Sequence, residues 1–247
     1  MAKPNFIELA DEEQIPILYE DRSVMAIDKP PGWMLVPFSW QKTNRNLQTA
    51  ITSSIAAGDY WARSRNLKYL RNIHRLDADT TGILLLGKSQ GAVNSLGDLF
   101  ESRKMEKVYL AVVTGVPKQD EWICQLRLAP NPEEIGQVKV DPRGGKDAET
   151  HFRVLQRSQN TALIEASPVT GRTHQIRVHL AETGHPVVGD PLYSLQGSST
   201  EGPRRTNRRG VKLGLRAVSL AYIDPFTQRR VQINAPTEGF LREFRFG

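Results

Sequence analysis

The sequence predicts an α+β fold, with a mixed, mainly antiparallel β-sheet and flanking helices. Two observations lead there. Short apolar or alternating stretches outnumber helical ones, and Gly, Pro or Asn punctuate them at close intervals. The chain also lacks the regular strand–helix alternation of a doubly wound parallel sheet. Its 247 residues, 39% of them hydrophobic, suffice for a well-buried core.

Residues 1–16 are polar and read as an irregular lead-in. Ile17–Tyr19 and Val24–Ile27 read as strands around an Asp21-Arg-Ser turn, and the prolines of Lys29-Pro-Pro-Gly32 require a loop. Over residues 46–57, Leu47, Ala50, Ile51 and Ile55 share a helical face, and Gly58 stops the helix. Residues 82–87 form an apolar strand. Ser89 then caps a helix with Ala92, Val93, Leu96, Leu99 and Phe100 on one stripe. Four strands follow, at 107–113, 122–128, 149–155 and 162–166. A helix over 173–182 turns Ile176 and Leu180 inward and ends at Gly184. Strands near 213–222 and 229–234 close the fold. Residues 194–210, rich in Ser, Gly, Thr and Arg, read as a long mobile loop.

The net charge is +6, concentrated in two clusters. One holds Arg63, Arg65, Lys68, Arg71 and Arg75. The other holds Arg204, Arg205, Arg208, Arg209, Lys212 and Arg216. Such clusters suit a polyanion, although a solvated basic face has the same composition. The lone Cys124 excludes an intrachain disulfide framework. With no apolar signal core and no membrane-length apolar run, a soluble cytoplasmic protein is expected.

Residues 74–89 read HRLDADTTGILLLGKS. Their second half, from Gly82 to Ser89, matches the phosphate-loop pattern G-x-x-x-x-G-K-[ST]. A phosphate loop offers solvated backbone N–H groups after a buried strand. Here the variable positions are Ile83, Leu84, Leu85 and Leu86, which belong inside a strand, and turn formers precede them. The match is read as accidental. The five histidines show no metal-ligand spacing, so no metal is expected. Asp77 and Asp79 raise the possibility of a two-carboxylate glycosidase or nucleoside hydrolase, but residues two apart in extended chain point opposite ways. Asp79 also suits a turn or an Asx cap, and Asp77 suits a turn residue paired with Arg75.

HRLDADTTGILLLGKS closely resembles the motif that carries the catalytic aspartate of RluA-type pseudouridine synthases. Other segments follow in the family's order: ILYEDRSVMAIDKPPGWMLVP (17–37), KVYLAVVTG (107–115), PVTGRTHQIRVHLAETGHPVVGDPLY (168–193) and LGLRAVSLAYIDPFTQRRVQINAP (213–236). Thr81 stands where the family usually has serine. Arg216 and Asp224 stand where many relatives have histidine. The resemblance implies the pseudouridine synthase fold, with residues 17–247 as a single catalytic domain. Many relatives add a small N-terminal RNA-binding domain, which a 16-residue lead-in cannot hold.

The resemblance further implies isomerisation of uridine to pseudouridine in rRNA or tRNA, without cofactor. It assigns the catalytic site to Asp77, Tyr109 and Arg177. Asp77 would attack sugar or base, or take a ribose proton. It must stay ionised in a water-poor pocket, which calls for a nearby cation, and the family's motif places Arg177 in that role. Tyr109 would stack on the uracil. Arg75 would manage the flipped nucleotide, and Arg172 and His174 would contact RNA near a helix start. The arginines of 204–209 would grip RNA backbone. A monomer is expected. Without the family's signature, Arg177 reads as a surface helix charge and Tyr109 as a core aromatic. A non-catalytic RNA-binding protein and a hydrolase using Asp77 and Asp79 are the competing functions.

Overall fold

The computed structural model describes residues 3–9, 13–35, 45–194 and 211–247. The chain divides into two compact units, Met1–Glu106 with Ala217–Ala235, and Lys107–Arg216 with Pro236–Gly247.

In the first unit, β1 (Phe6–Glu8), β2 (Gln14–Glu20) and β3 (Val24–Lys29) form an antiparallel meander. The β2–β3 turn is an Asx turn, in which Asp21 Oδ1 accepts from the backbone N–H of Ser23 and Val24. The lead-in is thus not wholly irregular. Phe6 and Ile7 pair with Pro16 and Ile15, and Ile7 and Ile15 are fully buried. Helix α1 (Leu47–Ala57) is capped by Asn46 and stopped by Gly58 at φ 73°. Leu47 and Ile51 enter the core, as the apolar spacing predicts. Two short elements escaped the sequence reading, α2 (Tyr60–Arg63) and β4 (Arg71–Asn72).

Strand β5 (Thr81–Gly87) is paired with β3 and β4. Ile83, Leu84, Leu85 and Leu86 are all buried. The sequence that matches a phosphate loop is therefore a core strand, and its polar end is already committed. Lys88 Nζ donates to Glu20 and to the Asp21 carbonyl, and Ser89 Oγ caps α3 (Gln90–Glu101) by accepting from Ala92 N–H. The two glycines answer packing demands. A Cβ on Gly82, at φ 103°, would lie 2.0 Å from the Ala217 carbonyl oxygen, and one on Gly87 would lie 2.7 Å from a Val93 methyl.

The second unit is an antiparallel sheet in the order β6 (Glu106–Thr114), β10 (Thr161–Pro168), β9 (Lys146–Arg157), β7 (Glu121–Pro130) and β8 (Val138–Val140). The predicted strands are four of these five; β8 is too short for a period-2 signal. Helix α4 (Gln175–Glu182) lays Ile176 and Leu180 into a core cluster with Ala111, Phe152 and Ile164. Strand β11 (Leu215–Ile223) begins in this unit, ends in the first and carries β12 (Arg230–Asn234) there. Helix α5 (Glu238–Glu243) belongs to the second unit. Residues 195–210, including the arginines of 204–209, lie outside the described residues. Among the described residues no helix is long and apolar enough to cross a membrane.

Candidate active site

Asp77 and Arg75 lie in the first unit, on the loop that joins β4 to β5. Side chains alternate along it: Arg75 is exposed, Leu76 is buried, Asp77 is half-buried and Asp79 is exposed. His74 anchors one end. Its Nε2 accepts the Leu85 N–H at 3.0 Å, and its ring stacks on Phe100 at 4.6 Å. A turn from Asp77 O to Thr80 N–H closes the other end. Arg75 stands on the exposed side of the loop. Asp79 sits in the turn, one of the two roles its sequence suggests, and the turn closes through the Asp77 carbonyl.

Beneath the loop lies Lys29, the last residue of β3 and fully buried. Its three ammonium hydrogens reach three carbonyls, of Pro30 at 3.1 Å, Ala78 at 2.6 Å and Thr80 at 3.1 Å. Gly32 N–H adds a fourth bond, to the Ala78 carbonyl. One cation thus ties the Lys-Pro-Pro-Gly loop to the Asp77 loop. Burial pushes the Lys29 ammonium down to about 8, partly opposed by the carboxylates of Asp79 and Asp77.

Tyr109, Arg172, His174 and Arg177 all lie in the second unit. Arg177 is no surface helix charge, because α4 is buried from Gln175 through Leu180. Its Nε and Nη2 bind Asp190 at 2.7 and 2.8 Å, and both side chains are almost wholly buried. Asp190 Oδ1 also accepts from the backbone N–H of Leu192 and Tyr193. The Arg177 guanidinium lies 5.2 Å from the centre of the Tyr193 ring. Tyr193 Oη meets His174 Nδ1 at 2.8 Å and accepts the Val138 N–H. His174 itself opens α4 in the left-handed region, at φ 53°.

Gln175 organises the turn before α4. Its Oε1 accepts from Thr170 Oγ1 and Arg172 N–H, and its Nε2 donates to the Glu149 carbonyl and Thr150 Oγ1. Arg172 Nε donates to the Asp147 carbonyl. Tyr109 packs against the cluster that Ile176 and Leu180 enter. Two residues earlier on the same face of β6, Lys107 Nζ donates to the Thr170 carbonyl at 3.1 Å. Burial pushes the Lys107 ammonium down to about 8.

The structure therefore gathers Arg172, His174 and Arg177 around one turn and helix, and it presents Asp77 and Arg75 on another loop. Sequence reasoning missed Lys29, Lys107, Gln175, Asp190 and Tyr193. All five stand inside the quoted motifs, but their partners are mostly backbone atoms, which no residue pattern reveals. Among the described residues no cluster of His, Cys, Asp and Glu is suited to a metal ion.

A family model described as RNA pseudouridylate synthase matches residues 23–182. The ribosomal large subunit pseudouridine synthase C of Vibrio parahaemolyticus is 34% identical over 236 residues, covering 94% of this chain and 68% of that protein. The protein of that name from Escherichia coli O157:H7 is 34% identical over 231 residues, covering 92% and 67%. The chain thus spans about two-thirds of the length of these relatives. The solved structure of human RNA Pseudouridylate Synthase Domain Containing 4 superposes with a TM-score of 0.71 at 24% identity, covering 93% of this chain and 92% of that one. Fold, ordered motifs and matched sequence agree: the chain belongs to the RNA pseudouridylate synthase family, isomerases that convert uridine to pseudouridine in RNA.

Proposed function

We propose that residues 17–247 act as a catalytic domain in which Asp77 is the essential carboxylate, and that the substrate is ribosomal RNA of the large subunit. The observation that carries this reading is the presentation of Asp77. It is the half-buried acid on a loop held from beneath by a fully buried lysine, in a chain of this family. The substrate follows the name shared by the bacterial relatives. Arg177 is the cationic counterpart of that carboxylate, and Asp190 fixes its guanidinium plane. Tyr109 serves as the aromatic wall for the uracil.

The isomerisation breaks an N-glycosidic bond and forms a C–C bond at the same ribose carbon. No electrons or phosphoryl groups move, so the reaction calls for no cofactor. A paired uridine must first leave its stack, at a cost of a few kcal/mol. Arg75, exposed beside Asp77, is placed to fill the vacated position or to hold a phosphate. Arg172 and His174 contact the RNA beside the start of α4. The protein works as a cytoplasmic monomer in this reading.

Mapping pseudouridines in total RNA from a deletion strain against wild type identifies the target. Complementation with Asp77→Asn should leave that uridine unmodified. Unchanged modification by this variant would remove Asp77 from the mechanism. Release of free uracil from the RNA would favour a hydrolase instead.

A further inference from the structure

The basic cluster between Arg63 and Arg75 divides in the structure. Arg75 stays on the Asp77 loop, whereas Arg65 and Lys68 turn to a cleft of about 770 Å³ in the first unit. Lys88 and Asp21 line this cleft, which places it at the Gly87 end of β5. The Asp77 loop leaves the Thr81 end, so the two sites lie about 20 Å apart, the length of a seven-residue strand.

Five cations line the cleft, Lys3, Arg22, Arg65, Lys68 and Lys88, against two carboxylates, Glu20 and Asp21. Both carboxylates are committed to the protein. Glu20 takes Arg65 Nε at 2.8 Å and Lys88 Nζ at 2.7 Å. Burial pushes its carboxyl up, but the hydrogen bonds from Lys88 and Arg65 outweigh this and hold it below the ordinary carboxylate range. Asp21 spends Oδ1 on its Asx turn and Oδ2 on Tyr19 Oη. Arg65 is itself a built feature: only 4% of its side chain is exposed, and Nη1 and Nη2 bind the carbonyls of Trp61 and Pro4. Within the wall, Arg65 and Lys88 balance Glu20 and Asp21, so the excess of positive charge lies at the rim. At the rim, Lys3, Arg22 and Lys68 are exposed and have no acidic partner among the described residues.

We propose that this cleft is a second RNA contact, which holds backbone phosphates of the substrate about 20 Å from the Asp77 loop. A concave surface with five cations against two internally hydrogen-bonded carboxylates attracts a polyanion. The cleft lining is mainly cationic, with Tyr69 its one aromatic residue. Phosphate contact without base readout follows. The contact positions the RNA and leaves the choice of uridine to the Asp77 loop. This inference rests on RNA as the substrate and not on the role of Asp77.

The test is binding of a fluorescein-labelled RNA stem-loop, followed by anisotropy across a series of KCl concentrations. Three proteins are compared: wild type, the double variant Arg22→Glu/Lys68→Glu, and the charge-matched control Lys118→Glu/Lys139→Glu. Lys118 and Lys139 are exposed in the second unit. The cleft variant should bind about tenfold more weakly, with the slope of log K against log salt reduced by about 1–2. The control should bind as wild type does. Equal weakening in the cleft variant and the control reduces the effect to net charge and overturns the proposal, as does unchanged binding in the cleft variant. Inorganic phosphate is titrated in parallel. Saturable phosphate binding lost in the cleft variant, with RNA affinity intact, would assign the cleft to a small anion and overturn the RNA contact. Arg22→Gln/Lys68→Gln supplies the same comparison with a smaller effect should the reversal disturb folding. A wild type that binds RNA through the cleft yet forms no pseudouridine would sink the catalytic reading and leave this one standing.

Discussion

The Asp77 loop and the α4 turn are both held by buried charge, but in opposite ways. Under the first, Lys29 donates to carbonyl oxygens, and its ammonium bears a burial cost that the Asp79 and Asp77 carboxylates offset only in part. At the second, Arg177 meets a carboxylate in a bidentate pair, and a neutral hub, Gln175, carries four more hydrogen bonds nearby. The first arrangement puts one titratable group under a loop built otherwise of backbone. The second distributes the work among several side chains. Removing a partner therefore leaves different debris: carbonyls that lose a donor in one case, a buried guanidinium that loses its bidentate carboxylate in the other.

That contrast orders the expected effects. Asp190→Ala removes the bidentate carboxylate from a buried guanidinium and takes the acceptor from the Leu192 and Tyr193 N–H groups, at a cost of about 3–5 kcal/mol in urea unfolding. Less than 1 kcal/mol would show that Arg177 does not depend on that pair. Lys29→Met takes the ammonium from the Pro30 and Thr80 carbonyls, leaves the Ala78 carbonyl its bond from Gly32 N–H, and also deletes a poorly solvated charge. The net loss should be smaller, about 2–3 kcal/mol by the same measurement. A loss exceeding that of Asp190→Ala would invert the comparison.

The smallest effect isolates the charge itself. The Lys29 pKa in the folded protein is depressed to about 8 from the ordinary 10.5, so the unfolded chain binds more protons between those values. The burial penalty is complete below pH 8 and fades as pH rises toward 10.5. Wild type should therefore gain about 1 kcal/mol over Lys29→Met between pH 7 and pH 9. Parallel pH profiles for the two proteins would mean that the ammonium is not the group under strain.

These elements also mark where sequence reading stops. Periodicity was enough for β5 and α1, since both bury residues by their own apolar pattern. It was enough to reject the phosphate loop, because four consecutive aliphatic residues cannot line a solvated anion site. It misjudged α4. Ile176 and Leu180 point inward as expected, but Arg177 and His179 are buried too. Their polar atoms find Asp190 and Thr150, and a helical wheel carries no information about partners 13 or 29 positions away. Strand β1 was missed for a similar reason, since three residues become a strand only through their pairing with β2. Lys29 was the hardest to see. Its acceptors are backbone atoms 49 and 51 residues downstream, which any side chain there would supply equally.

Gly82 bears on how the Asp77 loop can change. The Ala217 carbonyl occupies the space where its side chain would be, and its pairing with Lys29 fixes it on the other side. At the far end, His74 is pinned through the Leu85 amide. The seven residues from Arg75 to Thr81 thus form a span strung between two immovable posts. An added or lost residue cannot be absorbed by sliding the strand, because a one-residue slip would exchange the two faces of Ile83 to Leu86, each already packed. This stretch of surface should tolerate changes of letter at Arg75 or Asp79 far better than any change of length.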